Sequence, residues 1–156
     1  MGHRAQDGLG SRTRSAVAYS DTLVSADTAS ALLLRALRHE ERGDLVAARA
    51  LYRKVAEVEE LAAVALEHCA RIERELGTLD SAVRSLTEAL HYCVDDQDRS
   101  CDLYVELGDV HAQGADWLEA AYYYRRALVY APDRVDVQRR LRGALRLKYC
   151  GYERSA

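Results

Sequence analysis

Histidine, cysteine and closely spaced acids are the side chains here that could hold a metal or move protons, and their spacing decides whether they do. Cys69, Cys93, Cys101 and Cys150 form no Cys-x2-Cys pair and have no histidine at ligand spacing, which argues against zinc. They read as reduced, packed thiols. Asp95, Asp96 and Asp98 place three acids within four positions, as a calcium loop does. The glycine and the terminal glutamate of an EF-hand are missing, so a solvated loop over Asp95 to Ser100 is expected instead. His39, His68, His91 and His111 could serve acid–base chemistry, yet each falls at a different turn of a repetitive pattern. No serine or cysteine stands in a nucleophile elbow, and no glycine-rich stretch forms a phosphate loop. We therefore assign no catalytic residue, no metal and no cofactor, and expect the chain not to be an enzyme.

Tyr122, Tyr123 and Tyr124 precede Arg125 and Arg126, a combination that could stack and neutralise nucleic acid. Consecutive helical side chains point about 100° apart, however, so the three rings cannot share one face. A net charge of −3 over 156 residues gives no general attraction to nucleic acid or an anionic membrane. The basic charge is local: residues 134–156 carry seven Arg/Lys against two acids, and the rest carries 15 against 23. No apolar run reaches the length of a membrane helix, and no apolar signal core follows Met1. A cytoplasmic protein is expected, and twenty arginines against two lysines suggest a bacterial, high-GC source.

Apolar residues return every three or four positions: Leu32, Leu33, Ala36 and Leu37, then Leu45, Ala48, Leu51, Tyr52 and Val55. This is amphipathic helix spacing, broken at Gly43, where positive φ can end a helix. Further pairs are expected over 61–75 and 80–94, turning at Gly77, and over 102–113 and 116–130, turning at Gly114. A last helix follows Pro132 and spans 135–149. Strand signals are absent, so the fold is all-α. Residues 1–24, rich in Gly, Ser, Thr and Arg, are expected to be a flexible tail, and residues 151–156 a second one.

One pattern recurs through these helices. Gly43-x4-Ala48-x3-Tyr52-x2-Val55 returns as Gly77-x4-Ala82-x3-Leu86-x2-Ala89, and again as Ala120-x3-Tyr124-x2-Ala127-x4-Pro132. The copies are spaced 34 and then 38 residues apart, the mark of stacked units that cannot bury their apolar faces alone. Tyr104-x2-Leu107-Gly108-x2-His111 completes the third unit. The pattern resembles the tetratricopeptide repeat (TPR). The resemblance implies a right-handed α-solenoid over residues 25–150, with repeats at 29–62, 63–96 and 101–134 and a capping helix at 135–149.

The resemblance also implies where function would reside. In such arrays the first helix of each hairpin lines a concave groove. Here those positions are Ser30, Leu33, Leu37 and Glu40, then Val64, Glu67, Arg71 and Arg74, then Asp102, Val105, Asp109 and Ala112. His68 is a further contact candidate, and the last helix adds Asp136 and Arg139. The chaperone-tail clamp known in one subgroup is absent, because its positions hold Leu33, Leu37, His68, Asp102 and Glu106. A lining of apolar residues and both charges suits a segment of another protein rather than a small metabolite. The expected role is thus a non-catalytic adaptor or scaffold. The alternatives are a dedicated secretion-type chaperone and a self-associating scaffold whose basic last helix meets an acidic face of a second copy.

Overall fold

The computed structural model describes residues 25–152, with side chains through Lys148. The expected N-terminal tail lies outside the described residues. Among the described residues seven helices follow one another: α1 (Ala26–Glu41), α2 (Leu45–Val55), α3 (Glu59–Glu75), α4 (Leu79–His91), α5 (Gln97–Gln113), α6 (Trp117–Tyr130) and α7 (Val135–Tyr152). They stack as three hairpins, α1/α2, α3/α4 and α5/α6, with α7 packed on α6. The result is a right-handed TPR-type solenoid.

Side-chain caps explain three of the helix starts. The Ser25, Asp44 and Asp96 side chains accept backbone N–H bonds from Thr28, Ala47 and Arg99, satisfying amides that the first turn leaves free. The Asp96 cap moves the start of α5 to Gln97. Four of the six residues of the expected loop, Gln97 to Ser100, are therefore helix, with Asp98 in the first turn where an acid complements the dipole. The third turn also differs from expectation. Gly43 and Gly77 adopt positive φ of 77° and 75°, but in α5/α6 it is Ala115, at φ 60°, that turns left-handed, while Gly114 stays at −77°.

Small residues set the distance between paired helices. Ala36, Ala48, Ala82 and Ala120 are fully buried, and Ala70 and Gly108 are also enclosed. A Cβ on Gly108 would lie 2.6 Å from Tyr124 Cδ1, so no larger residue fits unless the ring moves. Three apolar cores result. The first joins Ala36, Tyr52, Val55, Cys69 and Ile72; the second joins Leu66, Ala82, Leu86, Leu103 and Leu107; the third joins Cys101, Tyr124, Ala127, Val137 and Ala144. Each core spans a hairpin and its successor, as the periodic pattern requires. Leu141 and Leu145 of α7 pack on the third. Cys69, Cys93 and Cys101 are buried free thiols, and burial pushes the Cys69 thiol up to about 12.

Candidate functional site

The first helices of the hairpins, α1, α3 and α5, lie side by side, and α7 continues their row. Their shared face carries a ladder of ion pairs. Glu40 of α1 accepts from Arg71 of α3, and Glu67 of α3 accepts from Arg99 of α5 at 2.7 Å. Asp109 of α5 accepts from Arg140 of α7, and Asp102 of α5 from Arg134 just before α7. In every rung the acid belongs to the earlier helix and the arginine stands 31 or 32 residues later. That offset is slightly less than one repeat, so the pairing is a product of the stacking itself.

Two rungs are reinforced from behind by a buried tyrosine. Tyr52 donates its hydroxyl to Glu40, and Tyr124 donates to Asp109, each at 2.7 Å. Burial, and then the accepting carboxylate, push both phenols far above the usual tyrosine range. Burial would raise the Glu40 carboxyl, but the Tyr52 hydroxyl and then Arg71 outweigh it and hold it below the usual glutamate range. His68 completes the first rung: its ring stacks on Tyr52 at 4.5 Å and its Nδ1 lies 3.2 Å from Glu40.

The middle rung differs. Leu86 stands at the register position of the two tyrosines and has no hydroxyl to offer. Beside Glu67 and Arg99, an open pocket of about 510 Å³ is lined also by Asp96, Asp98, Asp102, Leu103 and Glu106. Five of its seven lining residues are acids and one is an arginine. Glu106 is half-buried there. Burial, and then the charge of Glu67, push its carboxyl above the usual glutamate range; Arg74 opposes the shift.

The sequence-derived groove residues thus fall into distinct settings. Glu40, Glu67, His68, Arg71, Asp102 and Asp109 are joined in the ladder. Leu33 and Leu37 are half-buried against the first core, and Val64 is half-buried on α3. Val105 is 6 % exposed and packs in the third core, where it has little surface left for a ligand. Arg139 is exposed, and it is its neighbour Arg140 that enters the ladder. Glu73 went unnoticed in sequence. It is 3 % exposed, accepts from Ser85 at 2.6 Å and from Arg53 at 3.1 Å, and ties α2, α3 and α4 together behind the groove.

Several of the residues weighed for other chemistry are engaged in local contacts. His39 and His111 sit 3.1 and 3.3 Å from Asp44 and Asp116, at equivalent turns of the first and third hairpins. The His111 ring stacks on Tyr123, and its Nε2 is buried without a hydrogen-bond partner. Tyr122 is exposed, Tyr123 half-buried and Tyr124 buried, and the first two rings meet at 76° rather than sharing a plane. Among the described residues no group of three or more His, Cys, Asp or Glu is placed to hold a metal ion. No helix among them is long and apolar enough to cross a membrane.

Hairpins stacked with small residues at the crossings, and first helices aligned along one face, define a TPR solenoid. No protein-family model and no curated protein matches the chain. The likeness is to solved structures. The chain is similar to the first TPR of Spaghetti (RPAP3) bound to the HSP90 peptide SRMEEVD, at 19 % identity and TM-score 0.65, covering 80 % of this chain and 95 % of that one. It is similar to the TPR2AB-domain:pHSP90 complex of yeast Sti1, at 20 % identity and TM-score 0.68, covering 83 % of this chain and 51 % of that one. PcrH from Pseudomonas aeruginosa aligns at 15 % identity and TM-score 0.58, covering 79 % and 90 %. At these identities the likeness shows the fold.

Proposed function

We propose that the protein is a non-catalytic interaction module that holds a segment of another protein along the face formed by α1, α3, α5 and α7. The observation that carries this reading is the row of first helices itself: its ordered charges stand beside the half-buried Leu33, Leu37 and Val64, which the repeat register assigns to the same side, and no further layer among the described residues packs over them. A docked segment would bury the apolar stripe and exchange water for fixed polar partners. One similar structure, Spaghetti, is bound to an HSP90 peptide, and another, the TPR2AB domain of Sti1, is a pHSP90 complex, which supports use of this kind of fold for segment capture. This chain carries acids at Asp102 and Glu106, so an acidic chaperone tail is a poor fit.

The test is affinity capture with the full chain and with Leu37→Ser/Val64→Ser, checked by circular dichroism for an intact helical fold. Loss of the captured protein by the folded variant is the expected result. Capture that is unchanged would place binding elsewhere. Light scattering on the same samples separates an adaptor from a self-associating scaffold.

A further inference from the structure

The three junctions along the face should be chemically equivalent if the ladder were only structural, and they are not. At α1/α3 and at α5/α7 a tyrosine hydroxyl, an acid and an arginine close on one another. At α3/α5 the position of the tyrosine is Leu86, and Glu106 accepts no hydrogen bond and joins no ion pair among the described residues. Arg71, Arg99, Arg134 and Arg140 are each already held by an acid of the preceding helix. Arg74 acts on Glu106 through space. The pocket in front of Glu106 therefore gathers Glu67, Asp96, Asp98 and Asp102, with Arg99 bonded to Glu67 and Arg134 to Asp102, while Glu106 itself is left without such a partner among the described residues. Toward α1 the register of the repeat puts the half-buried Leu33, Leu37 and Val64 on the groove side of α1 and α3.

Resting on the groove reading above, we infer that the groove's occupant is a basic, amphipathic segment of a partner protein, whose Arg or Lys enters the pocket at Glu106 while its apolar residues lie toward Leu33, Leu37 and Val64. The argument is one of complementarity. A half-buried carboxylate surrounded by like charge is unfavourable in the free protein, and a guanidinium or ammonium supplied by a ligand relieves it, whereas an acidic ligand would aggravate it. An arginine fits best because its fork of donors can meet Glu106 and a neighbouring acid together.

The probe is a random peptide library displayed on phage and selected against the full chain, with the enriched peptides resynthesised for binding to wild type, Glu106→Gln and Asp80→Asn. Asp80 is an exposed acid on α4, away from the pocket, and serves as the control. The enriched peptides should combine Arg or Lys with apolar residues, and bind Glu106→Gln about tenfold more weakly than wild type. They should bind Asp80→Asn as they bind wild type, and weaken as salt is raised. Enriched peptides without basic residues, or basic peptides indifferent to Glu106→Gln, would overturn the inference. If such peptides still shift the amide resonances of Val64 and Arg71, the groove reading stands and only the basic occupant falls. A library that yields no binder counts against both. Self-association that Glu106→Gln abolishes would put α7 of a second copy in place of the foreign segment and overturn the assigned occupant.

Discussion

Ala115 holds a left-handed backbone at φ 60°, the conformation that Gly43 and Gly77 hold in the other two hairpins. A Cβ makes that conformation unfavourable by about 1 to 2 kcal/mol, part of which a glycine gives back through its freer unfolded chain. Ala115→Gly should therefore raise stability by about 0.5 to 1 kcal/mol in urea denaturation. A loss of stability would show that the Cβ is not strained there. Glu106 offers a second measurement on a single side chain. Its carboxyl is raised above the ordinary glutamate range by burial and by Glu67, so the folded protein binds its proton more tightly than the unfolded chain does. The stability this gives is complete below the ordinary glutamate pKa and is lost as pH rises through the higher folded value. At neutral pH Glu106→Gln should then match or exceed wild type in thermal stability, and should lack the wild-type rise on acidification through that window. A variant less stable than wild type at neutral pH would mean that Glu106 has a partner in the fold. Both residues escape a reading by type alone. The pattern places a turn at Gly114, but whether it or Ala115 turns left-handed depends on where α5 ends. The burial of Glu106 depends on α3, about one repeat away.

The seventh helix has two faces with separable roles. Val137 and Ala144 are buried, and Leu141 and Leu145 pack against the third core, while Arg139, Arg142 and Arg146 are exposed. Deleting residues 134–156 would uncover Tyr124 and Ala127, so aggregation or a lowered melting temperature is expected. Changing Arg139, Arg142 and Arg146 together to glutamine should leave the melting temperature within a degree or so, because exposed charges contribute little. Unfolding by the triple variant would assign those arginines to the packing. The pairing of helices into hairpins was legible from the 34- and 38-residue recurrence, since packing demands small residues at each crossing and Gly108 meets Tyr124 as the pattern implies. The start of α5 was not, because the same acids that look like a solvated run include a cap, Asp96. Val105 illustrates a related difficulty. Its register points to the groove, but the approach of α6 and α7 encloses it.

Across the whole molecule the ladder gives the stack a direction: acid first, arginine about one repeat later, from α1 to α7. Six of the expected groove residues were found within it, yet the pairing was hidden because partners 31 or 32 residues apart are seen only once the period is subtracted. Such partly exposed pairs contribute modestly to stability. They also leave one carboxylate at the middle junction, Glu106, without an ion-pair partner among the described residues, which is the carboxylate the proposed occupant would meet. The central claim is that another protein is held on this face rather than on the outer helices. Site-specific photo-crosslinking in cells tests it directly, with a benzoylphenylalanine placed singly at Val64 on the groove side of α3, or at Val129 on the outer side of α6, where the side chain is 75 % exposed. Covalent capture of one protein from position 64 and not from position 129 is the result predicted; capture from 129 with none from 64 would contradict the account.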